Sequence, residues 1–356
     1  MEEANAERII IPPNEEKELL ASIFQKLNVP QSDAAYEAEI LVDADLRGVD
    51  THGIMLVPRY VKKFKAKLFN PKPYKRVVVD NETTIVLDAD NGMGHITAAW
   101  SMDLCIKRAK EKGTAFAALR NTNHTGAMAY YAEMATKQDM IGFCVTDTAA
   151  NLAPWGGTKA MLGNNPFAVG IPAASHYPII LDMAISMAAK GKVIKAATEG
   201  HPIPEGWVTD PKGFPITDPE LIVGPMDKRI PFLLQPIGGA KGSGILVVTT
   251  ILAGILSGTE NYGPTLPNFG SQFEISQQLG CFFGVIDPGC FLPINDFKSK
   301  VDGFIDILKD TSLAEWTDAI YMPGERECIE RERRNKNGIP VQMSVWKEVE
   351  KIQKSL

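Results

Sequence analysis

The chain has 356 residues, of which 45% are hydrophobic and 22% charged, with a formal net charge of −6 at pH 7. This composition excludes a disordered chain, and the length exceeds what one hydrophobic core fills, so two or three packed parts are expected. The mildly negative charge, with lysine and arginine scattered along the chain, argues against nucleic-acid binding.

Amphipathic patterns predict helices in the first part of the chain. One helix is expected from about Asn14 to Leu27 and a second from about Ser32 to Leu46, with Ser32 as its N-cap. A third is expected to start near Pro58, because proline suits the first helical turn. Residues 51–57 are therefore expected to form a loop, and this loop carries His52.

The middle of the chain alternates between strand and helix patterns, which indicates an α+β core. Strands are predicted over residues 77–79, 84–87, 114–119, 141–146, 167–171, 179–181 and 281–286. Helices are predicted over residues 94–109, around Tyr130, over 184–197, from the glycine-rich stretch 238–244 to Leu256, and over 296–308, with the polar tail 326–355 helical in part.

The cysteines and histidines argue against a disulfide framework and against a metal site. The five cysteines are widely spaced, odd in number and without a Cys-x-x-Cys pair, and the five histidines lack ligand spacing. The N-terminus is charged and unlike a signal peptide, and no apolar run reaches the roughly 20 residues of a membrane span. We therefore expect no metal, no membrane contact and a cytoplasmic location.

Two histidines are candidates for proton transfer. His52 lies between a hydroxyl residue and a glycine in the stretch Arg-Gly-Val-Asp-Thr-His-Gly, residues 47–53. His124 precedes the helix predicted around Tyr130, and helix N-termini favour anions, so residues 124–128 are candidates to hold a cofactor phosphate or a substrate carboxylate. Isolated histidines are more often structural, but imidazole suits acid/base catalysis near neutral pH.

Two further segments join a charged side chain to small residues. Asp182 ends a predicted strand, where an aspartate usually caps a helix. Lys241 lies in the glycine-rich stretch 238–244, which is neither a Walker motif nor the Gly-x-Gly-x-x-Gly fingerprint. The motifs therefore do not predict a Rossmann fold.

Together these segments resemble the malate/L-lactate dehydrogenase family, which includes sulfolactate and ureidoglycolate dehydrogenases and a cyclic imino acid reductase. The family's Arg-Gly-Val-x-Ser-His-Gly motif matches residues 47–53, with Thr51 in place of serine. Its Asn-His-x-Gly, Gly-x-Asn-Pro, Asp-Met-Ala-x-Ser and Gly-x-Lys-Gly-x-Gly segments match, in the same order, around His124, Asn165, Asp182 and Lys241.

The resemblance implies the fold class and its organisation. It implies an α+β enzyme with a non-Rossmann dinucleotide-binding fold, in which helices flank a largely antiparallel central sheet, and it implies a homodimer. Residues 1–75 would form an N-terminal helical part with the His52 loop. Residues 76–290 would form a mixed α/β core with the NAD(P)-binding segments, and residues 291–356 a C-terminal helical part that packs on the N-terminal part.

The resemblance also implies reversible hydride transfer between NAD or NADP and a small 2-hydroxy/2-oxo acid such as malate, lactate or sulfolactate. His52 would be the catalytic acid/base, with Thr51 as its hydroxyl neighbour and Asp182 as the carboxylate that orients it. Some family members use the equivalent of His124 for this step. A cyclic imino acid reductase and a degenerate dinucleotide-binding protein with little turnover are open alternatives.

The cofactor-binding residues follow from the same resemblance. Lys241 would supply positive charge near the phosphates, and the neighbours of Asp182 would line the nicotinamide. The candidate residues are His124, Thr125, Gly126, Ala127, Met128, Thr148, Asp182, Met183, Ala184, Lys190, Gly239, Lys241, Gly242 and Gly244.

The chain departs from the family where a substrate carboxylate is usually bound. The family often has arginine three residues after the motif glycine, and this chain has Leu56. Leucine cannot bind a carboxylate bidentately, so Arg47 or Arg59 is expected to do so, with Asn165 as a further donor to the substrate. Asp147 also stands where the family commonly has asparagine.

Overall fold

A computed structural model describes residues 7–356, so the charged start of the chain, residues 1–6, lies outside the described residues. In chain order the elements are β1 (Arg8–Ile11), α1 (Pro13–Lys26), α2 (Gln31–Leu46), α3 (Val57–Lys65), β2 (Arg76–Asn81), β3 (Thr84–Asp88), α4 (Gly94–Lys112), β4 (Thr114–Thr122), α5 (Ala129–Thr136), β5 (Ile141–Thr146), β6 (Phe167–Ile171), β7 (Ile179–Met183), α6 (Lys190–Thr198), β8 (Val208–Thr209), α7 (Glu220–Val223), β9 (Leu233–Leu234), α8 (Ala240–Thr250), β10 (Leu279–Ile286), α9 (Ile294–Lys309), α10 (Glu325–Asn337), β11 (Ile339–Gln342) and α11 (Met343–Ser355).

Seven strands form the central sheet in the order β2-β3-β4-β10-β5-β6-β7. Only the β3–β4 pair is parallel among these described strands, so the prediction of a largely antiparallel sheet is confirmed. Helices α4 and α5 pack on one face of the sheet, where Met102, Tyr131 and Phe283 are fully buried. Burial of each such side chain stabilises the fold by roughly 1.5–3 kcal/mol. This packing holds in place the strand ends that carry the candidate site.

The N-terminal helices share a second core with the end of the chain. Strands β1 and β11 pair antiparallel, with Arg8 opposite Gln342 and Ile11 opposite Ile339. Side chains from α1, α2, α3 and α11 fill this core, including Phe24 and Trp346. The first and last segments of the described chain therefore hold each other in place.

Several local predictions are wrong at their boundaries. Ser32 does not cap α2, which starts at Gln31 after Pro30 without a side-chain cap. The helix predicted over residues 184–197 begins only at Lys190, because Ser186 is extended and bridges to Pro236. No helix within residues 7–356 is long and apolar enough to cross a bilayer.

Candidate active site

The loop that carries His52 is a pair of short 3-10 turns, Asp50–His52 and Ile54–Leu56. Ile54 N donates to Asp45 Oδ2 at 2.6 Å, and a Cβ added at Gly53 would collide with the same carboxylate. On the other side of His52, Arg334 Nη1 from α10 donates to Asp50 Oδ1 at 2.5 Å. Contacts on both sides of His52 therefore hold the turn.

His52 is half-buried and neutral at physiological pH. Its Nδ1 lies 2.9 Å from Thr51 Oγ1. Burial, and to a smaller extent the charge of His95, lowers the pKa of His52 from 6.5 to about 4. The imidazole is thus free of a proton on one nitrogen and can accept one from a substrate.

His124 lies beside His52, with the two ring centroids 5.9 Å apart and nearly parallel. Its Nδ1 is 2.8 Å from Tyr60 Oη, and its ring stacks on Phe269 at 4.4 Å. Burial lowers the pKa of His124 well below its usual range, and the neighbouring basic groups, His52 first among them, further oppose its protonation. The site therefore contains two neutral imidazoles side by side.

Two neighbouring cavities surround these histidines. The larger has a volume of about 780 Å³ and the smaller about 210 Å³. Both are lined by His52, Gly126, Asn164 and Pro166, so His52 lies where the cavities meet. The larger volume falls within the roughly 300–1,000 Å³ that small-molecule sites occupy.

Asp182 lines the larger cavity at the end of β7. Its Oδ2 accepts a hydrogen bond from Ala129 N, in the first turn of α5, at 2.8 Å. The carboxyl group opens onto the cavity, but protein atoms surround it on its other sides. This burial raises its pKa from 3.8 to about 6. The helix N-terminus expected to bind a phosphate or a substrate carboxylate is thus already occupied by a carboxylate of the chain.

The structure brings Asp182 and His52 to one cavity without joining them directly. Among the described residues, no hydrogen bond links the two side chains, because Nδ1 of His52 faces Thr51 and Asp182 binds the start of α5. The orienting role of Asp182 stays a prediction.

Of the two arginines expected to bind the substrate carboxylate, only Arg47 lines one of these two cavities. Arg47 is 3% exposed, and its Nε and Nη2 bind Asp43 at 2.6 Å and Glu133 at 2.7 Å. Its Nη1 has no hydrogen-bond partner among the described residues. Arg59 is exposed on α3 and lines neither cavity.

Asn165 uses its amide inside the protein. Its Oδ1 accepts from Thr148 N at 3.0 Å and its Nδ2 donates to Thr250 Oγ1 at 2.8 Å. The expectation that Asn165 donates to the substrate stays a prediction, and Asn164 is the residue of this turn that lines both cavities.

Part of the predicted cofactor-binding set lies along the two cavities. The residues that line one or both are His124, Thr125, Gly126, Ala127, Met128, Thr148, Asp182, Met183 and Ala184. The remaining candidates, Lys190, Gly239, Lys241, Gly242 and Gly244, do not line them.

A backbone contact connects these two groups of residues. Ile237 N donates to Ile185 O at 3.0 Å, so the segment that follows Asp182 runs beside the one that leads to Lys241. Lys190 and Lys241, which follow Ile185 and Ile237 by five and four residues, are both exposed. Positive charge is therefore available at the outer end of the cavity-lining segment.

A segment near the C-terminus also lines the larger cavity, and motif analysis did not identify it. It runs from Trp316 to Glu327 and is tied to β7 by a 2.9 Å hydrogen bond from Ile180 N to Pro323 O. The Arg326 guanidinium lies over the Tyr321 ring at 4.3 Å. Its two aromatic residues, Trp316 and Tyr321, are the sequence signal by which this segment could have been noticed.

Comparison with known proteins places the whole chain in one family. The profile of the family described as malate/L-lactate dehydrogenase matches residues 11–350. The L-sulfolactate dehydrogenase of Methanocaldococcus jannaschii is 35% identical over 97% of this chain and 96% of its own, and its solved structure superposes with a TM-score of 0.90 at 34% identity, covering 98% of this chain and 97% of that one.

Two further relatives widen the range of named activities. The malate dehydrogenase of Pyrococcus horikoshii is 34% identical over 97% of this chain and 95% of its own. The structure of delta1-piperideine-2-carboxylate reductase from Pseudomonas syringae superposes with a TM-score of 0.84 at 25% identity, covering 97% of this chain and 99% of that one. The chain is thus a dehydrogenase that acts on the CH–OH group of a 2-hydroxy acid, and it belongs to the malate/L-lactate dehydrogenase family.

Proposed function

We propose that this enzyme reversibly oxidises a small 2-hydroxy acid, such as malate, lactate or sulfolactate, to the 2-oxo acid with NAD or NADP. The observation that carries this proposal is the neutral His52 at the junction of two cavities. When bound, the cofactor accepts the hydride that leaves the substrate carbon. The residues of the chain orient the substrate and move its hydroxyl proton.

His52 is the proposed proton acceptor in the oxidation. For Nε2 to take the hydroxyl proton, Nδ1–H must donate to Thr51 Oγ1, and their 2.9 Å separation permits this bond. The nearby Asp182 carboxylate would stabilise the imidazolium that forms. His124 is the second candidate for this step, and its Nδ1 would be held by Tyr60 instead.

Arg47 is the proposed partner of the substrate carboxylate. Its unpartnered Nη1 and its place on the larger cavity support this role, and its two ion pairs hold the guanidinium in one orientation. Charge-assisted bonds from such a fixed guanidinium are roughly twice as strong as neutral ones.

The cavity-lining residues 126–128 and 182–184 suit the nicotinamide end of the cofactor, because the Asp182 carboxylate at the start of α5 leaves no room for a phosphate there. Lys190 and Lys241 are proposed to hold the phosphates. This arrangement is a non-Rossmann one, since the glycine-rich segment that opens α8 lacks the Gly-x-Gly-x-x-Gly spacing.

We also propose that the enzyme is a homodimer, for which an exposed apolar surface gives support. Helix α8, the π-helical turn that continues it (Ile251–Ile255) and the next residue present an apolar surface, each side chain 45–55% exposed: Ile245, Val248, Ile251, Ile255 and Leu256. A surface of this kind usually marks an interface, and a second copy of the chain would cover it. If so, Val248→Glu with Ile255→Glu would yield monomers in analytical ultracentrifugation, and a monomeric parent would contradict the proposal.

We place the enzyme in the cytoplasm. All five cysteines are free thiols, and four of them are buried, as is usual for proteins of a reducing compartment. Export of the native chain with a processed N-terminus would contradict this location.

One assay panel tests the proposed reaction. Purified enzyme is assayed with NAD and NADP against malate, lactate and sulfolactate, and with the reduced cofactors against the 2-oxo acids and a cyclic imino acid. Turnover of one 2-hydroxy acid is the expected result. A reductase of cyclic imino acids would act only on the last substrate, and a degenerate member would quench cofactor fluorescence on binding yet turn over none of them.

A further inference from the structure

A pair of buried carboxyl groups lies beneath the His52 turn. Glu16 on α1 and Asp45 on α2 are 0% and 2% exposed, and the two helices pack against each other. Each carboxyl group acts on the pKa of the other, so we take them to be neighbours. Neither oxygen of the Glu16 carboxyl has a hydrogen-bond partner among the described residues, which leaves both free to pair with Asp45. Two carboxyl groups can share a hydrogen bond only when one of them carries a proton.

Burial makes that shared proton stable. It raises the pKa of Glu16 well above its usual range, and the facing Asp45 charge raises it further. Burial also raises the pKa of Asp45 from 3.8 to about 7, while hydrogen bonds from Glu16 and from Ile54 N lower it in part. Glu16 therefore holds the proton and donates it to the Asp45 carboxylate.

The pair is connected directly to the turn. Asp45 Oδ2 accepts the 2.6 Å hydrogen bond from Ile54 N, two residues after His52. The Asp45 backbone carbonyl accepts from Arg334 Nη1 at 2.6 Å. Asp50 and Arg334 are the charged groups that face the pair, and Asp50 disfavours a second negative charge while Arg334 favours it.

We propose that Glu16 and Asp45 are positioning residues for His52, in which one shared proton keeps Asp45 bound to the His52 turn. Loss of that proton places two carboxylates against each other in a buried site, where they repel and separate. Asp45 then leaves Ile54, and His52 loses its fixed position. This inference rests on the proposed role of His52, and it predicts an alkaline fall in kcat that His52 itself, already neutral, does not cause.

The decisive variant is Glu16→Gln, because its amide donates to Asp45 and has no proton to lose. We expect kcat at neutral pH within about threefold of the parent, and an alkaline limb of the kcat–pH profile that moves up by at least about one pH unit. Asp45→Ala removes the bond to Ile54, and we expect it to lower kcat about tenfold while the cofactor dissociation constant is unchanged. The matched control is Asp88→Asn, which removes a buried carboxylate on β3, outside the turn. We expect the alkaline limb of its kcat–pH profile to stay where it is in the parent.

The positioning role of Glu16 and Asp45 would be overturned if the alkaline limb of the kcat–pH profile did not move in Glu16→Gln, or if it moved equally in Asp88→Asn. A readout independent of activity separates this outcome from failure of the proposed reaction. The His52 imidazole resonances are followed by NMR between neutral and alkaline pH, in the parent and in Glu16→Gln. We expect an alkaline shift of these resonances only in the parent, whereas identical behaviour in both proteins would refute the inference whatever the substrate panel shows.

Discussion

Asp147 offers a quantitative test of how burial acts on this site. It is 0% exposed and lines the smaller cavity, where its carboxyl oxygens accept from Thr148 N at 3.0 Å and from Gly263 N at 2.8 Å. Burial raises its pKa from 3.8 to about 6 despite these hydrogen bonds. Its substitution by asparagine, the residue the family commonly has there, removes the charge and keeps the shape.

The shift sets the sign and the size of the effect. A raised pKa in the folded state means that the contribution of Asp147 to stability is present in full below pH 3.8 and is lost as the pH rises through about 6. A shift of about two pKa units corresponds to about 3 kcal/mol lost at pH 8. Asparagine avoids this loss but has one acceptor oxygen fewer, which costs about 1 kcal/mol. We therefore expect Asp147→Asn to be more stable by about 2 kcal/mol at pH 8 and within about 1 kcal/mol of the parent at pH 4.

Urea unfolding at pH 4 and pH 8 measures this difference, at one fixed protein concentration because oligomers unfold in a concentration-dependent way. Asp88→Asn is the opposite control. Burial alone would raise the pKa of Asp88, but hydrogen bonds from Asp90 N, Asn121 and Arg120 lower it overall. Loss of that carboxylate should therefore destabilise the protein at pH 8. An Asp147→Asn effect of equal size at both pH values would refute the argument from burial.

Three further substitutions test other parts of the site. We expect His52→Ala to lower kcat about 100-fold with nearly unchanged cofactor affinity, and activity within threefold of the parent would remove His52 from the mechanism. Lys241→Ala should weaken cofactor binding, measured by fluorescence titration, more than it lowers kcat, and unaltered affinity would exclude its phosphate role. Leu56→Arg should lower the melting temperature rather than restore a carboxylate clamp, because Leu56 is 6% exposed in the N-terminal apolar core. A variant as stable as the parent would show that the new guanidinium reaches solvent or the substrate.

The sequence predicted those parts of the fold that have strong local patterns. β-branched residues identified β2 and β3, and short apolar runs of strand length identified the other strands of the central sheet. Amphipathic spacing identified α1, α2 and α9 to within one or two residues at each end. Strands β1 and β11 were not predicted, because each has four residues and its partner lies more than three hundred residues away. Nothing local distinguishes such a strand from a loop until its partner is present.

The candidate site shows the same division between local and distant information. Motifs selected His52, Thr51 and Asp182, which do lie close to one cavity, because each carries its chemistry in its own segment. They did not show what each side chain contacts. Asn165 bonds to Thr250 and Asp182 to Ala129, separations of 85 and 53 residues that only the folded chain closes.

The His52 turn explains why the two ends of the described chain must meet for this site to form. Asp45 comes from α2 and Glu16 from α1, whereas Arg334, which binds both Asp50 and the Asp45 carbonyl, comes from α10. Helix α10 packs directly against α2, and β11, which follows α10, pairs with β1 at the start of the described chain. The segment that precedes α10 lines the larger cavity, so a ligand that moves this segment would act on the same helix that holds the turn. If His52 is the acid/base as proposed, contact between the two chain ends contributes to its position, because Arg334 from α10 holds the residues on the N-terminal side of the turn.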